Sequence, residues 1–293
     1  MNDLNNTRKE GGKRRKGIYK TRSGEAPLVT IITAVYNGYS TIEGTIKSIL
    51  SQSYPYIEYI VIDGASTDGT LQVLHAYDDY IDYWLSEPDK GIYDAFNKAI
   101  DLALGDWLYF IGADDKLFDP DVLKDFFQSS PDSRMLYGNV LWGNSGKIYD
   151  GRFGKLKIYT RNICQQAIFY HRTLFTVLGK FDPQYSILAD YVFNMKAFGY
   201  KDTNPHYVNR IVAEFSDKGL SSNEIDEFDM SYKDELFKNM VGDTILLRFL
   251  VTTRIIRPLT MLYRATEILL CDGPMTLIRK TYKLLQRQLR LIS

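Results

Sequence analysis

The feature that most limits what this chain can fold into begins at Leu28. From there, continuously apolar, β-branched runs alternate with stretches of helical periodicity for about 85 residues. Leu28–Val35, Ile57–Ile62 and Trp107–Ile111 are apolar at successive positions, the pattern of strands covered on both faces, as in a parallel sheet. Ile81–Leu85 predicts a further short strand. Between the strands Ile42, Ile46, Ile49 and Leu50 recur at helical spacing, as do Leu71, Val73 and Leu74, then Ile92, Phe96, Ala99, Ile100 and Ala103. Ser40-Thr41-Ile42-Glu43 reads as a capping box for the first helix, and Ser66 or Thr67 as the cap of the second. Gly105 reads as the stop of the third. Strands alternating with helices predict an α/β fold with a right-handed, mostly parallel sheet flanked by helices. From Met135 the pattern changes. Short aromatic strands (Met135–Trp142, Lys147–Tyr149, Ala167–Tyr170) predict a mixed or antiparallel part, followed by a helix over Asp190–Phe198 and a helical pattern beyond about residue 223.

The charges divide the chain in the same places. Lys and Arg number 36, as do Asp and Glu, so the net charge is zero. Residues 1–27 nevertheless hold eight basic and three acidic residues, and residues 241–293 hold nine and three. The two ends therefore carry +5 and +6, and the body between them −11. The first segment is polar, Gly/Lys/Arg-rich and aperiodic, which predicts a disordered basic arm. The expected organisation is an arm over 1–27, a catalytic domain over 28–222 and a helical, amphipathic basic extension over 223–293. Composition excludes wholesale disorder, a collagen and a disulfide scaffold. The two cysteines, Cys164 and Cys271, are too few for a zinc cluster and fit a reducing compartment. The start reads as no secretory signal, and no apolar run reaches the length of a spanning helix, so a cytoplasmic protein is expected.

Ligands of an open parallel sheet bind beyond the carboxyl ends of its strands. Tyr36-Asn37 follows the first strand, and Asp63 with Gly64-Ala65-Ser66-Thr67-Asp68-Gly69-Thr70 the second. Gly112-Ala113-Asp114-Asp115 follows the Trp107–Ile111 strand. The phosphate-loop and dinucleotide glycine fingerprints are absent there. Paired carboxylates suit a hard cation, Mg²⁺ or Mn²⁺, which keeps waters and takes other ligands from a diphosphate. Taken singly, Asp114 or Asp115 also reads as a helix cap, Asp63 as an Asx turn and Tyr36 as packing.

The stretch TAVYNGYSTIEGTIKSILSQSYPYIEYIVIDGASTDGT resembles the opening of glycosyltransferase family 2. YWLSEPDKGIYDAFNKAIDLALGDWLYFIGADD resembles the branch found in bacterial O-antigen, capsule and colanic-acid-type clusters. The resemblance spans about residues 28–215 and implies a GT-A fold, with a nucleotide-binding half joined to an acceptor half. It implies that Tyr36 stacks on a nucleobase, that Asp63 accepts from the base, and that Lys90 contacts the diphosphate or donor sugar. It makes Asp115 the direct metal ligand, with Asp114 nearer the ribose or sugar. The motif is Ala113-Asp114-Asp115 rather than Asp-x-Asp. Asp190, in Ile187-Leu188-Ala189-Asp190-Tyr191, matches the family's catalytic base, where a helix N-terminal charge is the alternative. Gln166, in Cys164-Gln165-Gln166-Ala167, is an acceptor-side candidate or a buried structural amide; Gln165 stands where relatives often carry His.

The implied reaction is a single inverting displacement. An acceptor hydroxyl loses its proton to the base and attacks the anomeric carbon, and a nucleoside diphosphate leaves. A cation about 4 Å from the leaving charge contributes roughly 4 kcal/mol per unit charge at an effective dielectric near 20. The implied partners are a nucleotide-sugar donor, commonly a UDP-sugar, and a glycan or lipid-linked glycan acceptor, with no nucleic acid. The basic tail suggests peripheral contact with the anionic inner face of the cytoplasmic membrane, or a helical cap with a solvated basic face. A nucleotidyltransferase shares such a sheet, but its basic glycine-rich loop is missing after the first strand. A non-catalytic relative would lack the paired acids or the base.

Overall fold

The computed structural model describes residues 8–22, 24, 26–127, 132–216 and 230–241. In chain order the strands are β1 Lys9–Gly11, β2 Val29–Val35, β3 Ile57–Asp63, β4 Tyr83–Ser86, β5 Trp107–Gly112, β6 Lys116–Leu117, β7 Met135–Trp142, β8 Lys147–Tyr149, β9 Ile168–His171 and β10 His206–Phe215. The helices are α1 Ile42–Leu50, α2 Thr70–Ala76, α3 Ile92–Leu102, α4 Val122–Phe127, α5 Lys155–Thr160, α6 Thr173–Leu178, α7 Ala189–Gly199 and α8 Met230–Val241.

All ten described strands join one sheet in the order β1-β4-β3-β2-β5-β9-β7-β10-β6, with β8 on β7. The segment β4-β3-β2-β5 is parallel, as the apolar runs predict. Beyond β5 the sheet is mixed: β9 runs antiparallel to β5 and β7, while β10 is parallel to β7. Alternate residues of the central strands enter two separate cores. Ile32, Ile60, Ile62 and Phe110 join one with α3 and α7. Ile31, Val61, Tyr109 and Ile111 join the other with α1 and α4. Burial on both faces is why these strands show no polar alternation. The registers Val35↔Asp63 and Ala34↔Gly112 bring three strand ends to one level of one edge.

Several local expectations change. The arm is not disordered over its described part. β1 pairs antiparallel with β4, and a 3-10 turn follows at Lys13–Lys16. Its cations have partners in the body: Arg14 pairs with the fully buried Glu58 and donates to the Leu102 carbonyl at 2.7 Å. Lys16 meets Asp78 at 2.9 Å and also Asp79. A short segment with few apolar groups is ordered here by ladder bonds and ion pairs.

The capping box does not form. Thr41 is the N-cap of α1 and its side chain caps nothing, while Glu43 pairs with Lys47 at 2.8 Å and accepts from the Tyr77 hydroxyl at 2.9 Å. Gly69, in the left-handed region, starts α2 in place of Ser66 or Thr67. Gly105 is no helix stop: α3 ends at Leu102. A Cβ on Gly105 would lie 2.6 Å from the Thr30 amide nitrogen and 2.8 Å from the Leu28 carbonyl oxygen, so glycine is required for close approach to β2. The boundary at 222/223 also shifts. Leu236, Phe237 and Met240 of α8 are buried in the same core as α3 and α7, which makes α8 part of the domain. The rest of the expected basic extension, 242–293, lies outside the described residues.

Candidate active site

A cleft of about 1070 Å³ opens beyond the strand ends. Tyr36, Lys90, Asp114, Asp115, Gln166 and Asp190 all line it; Asp63 does not. Five elements spread over 150 positions of sequence thus meet around one space.

Tyr36 follows β2 and is 67% exposed at the cleft. Its loop is held by the segment after β3. Ser66 Oγ accepts from the Asn37 amide at 2.7 Å, Thr70 Oγ1 from the Gly38 amide at 2.9 Å, and Asp68 from the Tyr39 amide at 2.9 Å. In return, Asn37 Oδ1 accepts from the Thr67 amide at 2.9 Å. The Ser-Thr-Asp-Gly-Thr motif therefore shapes the Tyr36 loop, while Asp68 Oδ1 also accepts from the Thr70 amide at the start of α2 at 3.0 Å.

Asp63 corrects an expectation. It is fully buried and turned inward. One carboxylate oxygen accepts from the Ser66 amide at 3.1 Å and from the Ser86 hydroxyl at 2.6 Å; the other accepts from the Ser66 hydroxyl. It orients Ser66, and through Ser66 the backbone beside Tyr36, instead of facing a base. Of the two sequence readings, the local turn is the one the structure shows.

Asp115 is 2% exposed. Its Oδ1 accepts from the Ser216 amide at 2.8 Å, and its Oδ2 from Gln166 Nε2 at 2.7 Å and the Gly112 amide at 3.2 Å. Burial raises its carboxyl to about 6, with the Asp114 charge acting in the same direction against these donors. Gln166 is oriented in turn by the Cys164 thiol, which donates to Oε1 at 3.0 Å. It thus serves Asp115 within the cleft wall.

The residues fit a hard cation in an open site. A Cβ at Gly112 would fall 2.7 Å from Asp115 Oδ2 and 3.0 Å from Asp114 Oδ1, so oxygens of both carboxylates converge beside a residue without a side chain. Among the described residues no group of three or more His, Cys, Asp or Glu forms a closed metal site. Two carboxylates with the remaining positions left to water and diphosphate suit Mg²⁺ or Mn²⁺.

Asp190 opens α7 as expected and is 7% exposed. Its Oδ1 accepts from the Tyr93 hydroxyl at 2.9 Å and the Tyr191 amide at 2.8 Å; its Oδ2 accepts from Asn162 Nδ2 at 2.7 Å. Burial raises its carboxyl to about 6 against those three donors. Asn162 is fixed from behind: its Oδ1 accepts from Asn194 Nδ2 at 2.8 Å, and Asn194 Oδ1 accepts from the Tyr170 hydroxyl at 2.8 Å. An ionised Asp190 can only accept, so Asn162 presents its N–H to it and the chain keeps one polarity back to the Tyr170 hydroxyl. The single Tyr93 proton is shared between Asp190 Oδ1 and the Ile187 carbonyl, which lies 2.7 Å from the hydroxyl. Tyr93, Asn162, Asn194 and Ser216 were not singled out from sequence. Only Tyr93 left a signal, three positions before Phe96 on the apolar stripe of α3.

Such a sheet, with an aromatic rim, paired acids at a strand end and a buried acid opening a helix, defines a GT-A type glycosyltransferase. Solved structures agree on the fold. TarS 1–349 from S. aureus, crystallised with UDP-GlcNAc, superposes with a TM-score of 0.60 at 19% identity over 73% of this chain and 71% of its own. The mannosyltransferase PcManGT from Pyrobaculum calidifontis, with GDP-Man and Mn²⁺, gives 0.54 at 17% identity over 94% and 86%.

The family model for glycosyl transferase family 2 matches residues 30–173. A PGL/p-HBAD biosynthesis glycosyltransferase of Mycobacterium bovis is 34% identical over 207 residues, 68% of this chain and 81% of the relative. The putative teichuronic acid biosynthesis glycosyltransferase TuaG of Bacillus subtilis is 42% identical over 93 residues, 31% of this chain and 37% of that one. The chain belongs to glycosyl transferase family 2. No helix among the described residues is long and apolar enough to cross a membrane.

Proposed function

We propose that the enzyme transfers a sugar, with inversion, from a nucleoside diphosphate sugar to a hydroxyl of a cell-surface glycan or glycolipid under assembly. A UDP-sugar is the first candidate donor. The observation that carries this reading is the buried Asp190 carboxylate, which shares one cleft with Asp114, Asp115 and the exposed Tyr36 ring.

Tyr36 offers a face for the nucleobase, and Lys90 a cation on the donor side of the same cleft. Asp115, with Asp114 beside it, would hold Mg²⁺ or Mn²⁺. A cation there supplies charge compensation for the leaving diphosphate. Asp190 takes the acceptor hydroxyl's proton. Its raised carboxyl brings the base closer in strength to that hydroxyl while leaving it ionised at neutral pH. Because water is the competing nucleophile, burial of the base also favours the bound acceptor. Relatives named for PGL/p-HBAD and for teichuronic acid biosynthesis support an acceptor of this kind.

Asp190→Asn tests the mechanism. The variant should show the same thermal stabilisation by UDP- or GDP-sugars with Mn²⁺ as the native enzyme, yet transfer sugar about 10²–10⁴-fold less efficiently. Substantial transfer by Asp190→Asn would refute the assignment of the base. Screening nucleotide sugars in the same thermal assay identifies the donor.

A further inference from the structure

The cleft lining contains a feature that donor binding and the base leave unexplained. Trp142 ends β7 with 41% of its surface exposed, and it lines the cleft together with Tyr149 and Phe215. Large aromatic rings are left open to water in a cleft chiefly where something covers them. These rings are also fixed. Trp142 meets Tyr149 at 5.5 Å and 81°, and Phe215 at 5.8 Å and 84°, edge to face in both cases. Strand pairing sets this arrangement, since Phe215 lies in register with Trp142 across β10 and β7.

The position of the rings decides what they face. Ser216, next after Phe215, donates its amide to Asp115 at 2.8 Å. Tyr149 donates its hydroxyl to the Asn162 carbonyl at 3.4 Å, and the Asn162 side chain reaches Asp190 at 2.7 Å. The aromatic wall therefore runs from the metal-type carboxylate to the base. A molecule whose hydroxyl is to lose its proton to Asp190 lies along it. The guanidinium over the Tyr149 ring, Arg161 at 6.0 Å from its centroid, is committed elsewhere: it pairs with Asp150 at 2.8 Å. An unused donor is at hand, because Gln165 Nε2 in the cleft lining is buried without a hydrogen-bond partner.

We propose that Trp142, Tyr149 and Phe215 form the acceptor subsite, and that its ligand is a saccharide ring stacked on Trp142. A pyranose presents axial C–H groups on one face and hydroxyls around its rim. The first suit the electron-rich face of an indole, and the second suit Gln165 and Asp190. A bare alkyl alcohol would use the rings and leave the polar groups unmet. A phosphate would find its nearest guanidinium already paired. The proposal rests on the reading of Asp190 as base, and it names the class of acceptor for that reaction: the terminal sugar of the acceptor, rather than a lipid, is what the enzyme recognises.

Trp142 provides its own probe. The chain has three tryptophans, and the other two, Trp84 and Trp107, are 1% and 8% exposed. The full chain is titrated with n-octyl gluco-, galacto- and mannopyranosides and with n-octanol, reading tryptophan emission. At least one glycoside should change the emission saturably while octanol does not, and Trp142→Phe should abolish the change. With a glycoside that serves as acceptor, Trp142→Ala should raise the acceptor KM at least tenfold. Trp142→Phe should restore most of that loss, and donor-induced thermal stabilisation should stay unchanged in both. Equal response to octanol, no response to any glycoside, or an unchanged acceptor KM in Trp142→Ala overturns the proposal. The Asp190 reading fails separately, through retained transfer in Asp190→Asn, and the emission titration does not depend on transfer.

Discussion

At the β1–β4 edge of the sheet and in the cleft, the chain handles buried acids in two ways. At the edge, Glu58 is fully buried and meets the Arg14 guanidinium, the Thr30 hydroxyl at 2.6 Å and the Leu104 amide at 2.8 Å. Asp78 is partly buried, which pushes its carboxyl up, yet Lys16, the Gly12 amide and the Trp84 indole hold it below its ordinary value. In the cleft, Asp115 and Asp190 are given N–H and O–H donors only, and both carboxyls rise to about 6. At Asp78 the cation favours the charged form, whereas at the more deeply buried Asp82 burial still raises the carboxyl despite Lys13. Neutral donors position an acid and leave it able to bind a proton or a cation from outside. The edge is built for stability, and the cleft for exchange.

The contrast breaks first at Asp190. Asp190→Asn should lower kcat/KM by about 10²–10⁴-fold, with a melting temperature no lower than native, because the variant removes a buried charge. Arg14→Met should do the reverse. It leaves Glu58 buried without its cation, a loss of roughly 3–5 kcal/mol and on the order of 10 °C in Tm. The kinetic constants measured well below the transition should stay native. Loss of activity without loss of stability in Arg14→Met would dissolve the distinction.

Proton exchange at the cleft sharpens it. A carboxyl raised to about 6 is ionised above that pH, so kcat/KM should rise through pH 6, level off above, and fall tenfold per unit below. The stability term has the opposite sense. A raised folded-state value means this group's contribution is fully present below its unfolded pKa and is lost as pH rises through 6. Asn162→Ala removes a donor to the anion, so the acidic limb should move to higher pH by about 0.5–1 unit. Asn194→Ala should move it less, since it acts only through Asn162. At the bottom of the scale is Lys16→Ala. Its ion pairs are at the surface, so no change in Tm or rate should be resolved.

Much of this was legible in the sequence for a definite reason. A strand covered on both faces is apolar at every position, so β2, β3 and β5 announced themselves. Parallel strands must end at one edge, so Tyr36, Asp114 and Asp115 were placed together before any coordinate was known. Asp190 was found by resemblance, and the structure gave it a buried position in the same cleft. The N-terminal segment was misread because its order comes from partners far along the chain: Glu58 is 44 positions from Arg14. Ser66 and Thr67 have the chemistry of helix caps, but tertiary contacts with Asn37 claimed them.

The sequence alone determined the alternation of strands and helices, the parallel core, and the set of acids delivered to its carboxyl edge. Those follow from side-chain periodicity and from the handedness of strand connections, which are local. Only the tertiary structure decided that Asp63 turns inward while Asp115 and Asp190 face the cleft. It also decided that Arg14 pairs with Glu58 and that Asn162 donates to Asp190. Those depend on which distant groups are brought within about 3 Å, the range at which hydrogen bonds form and burial can be offset. Periodicity carries no information about such pairings.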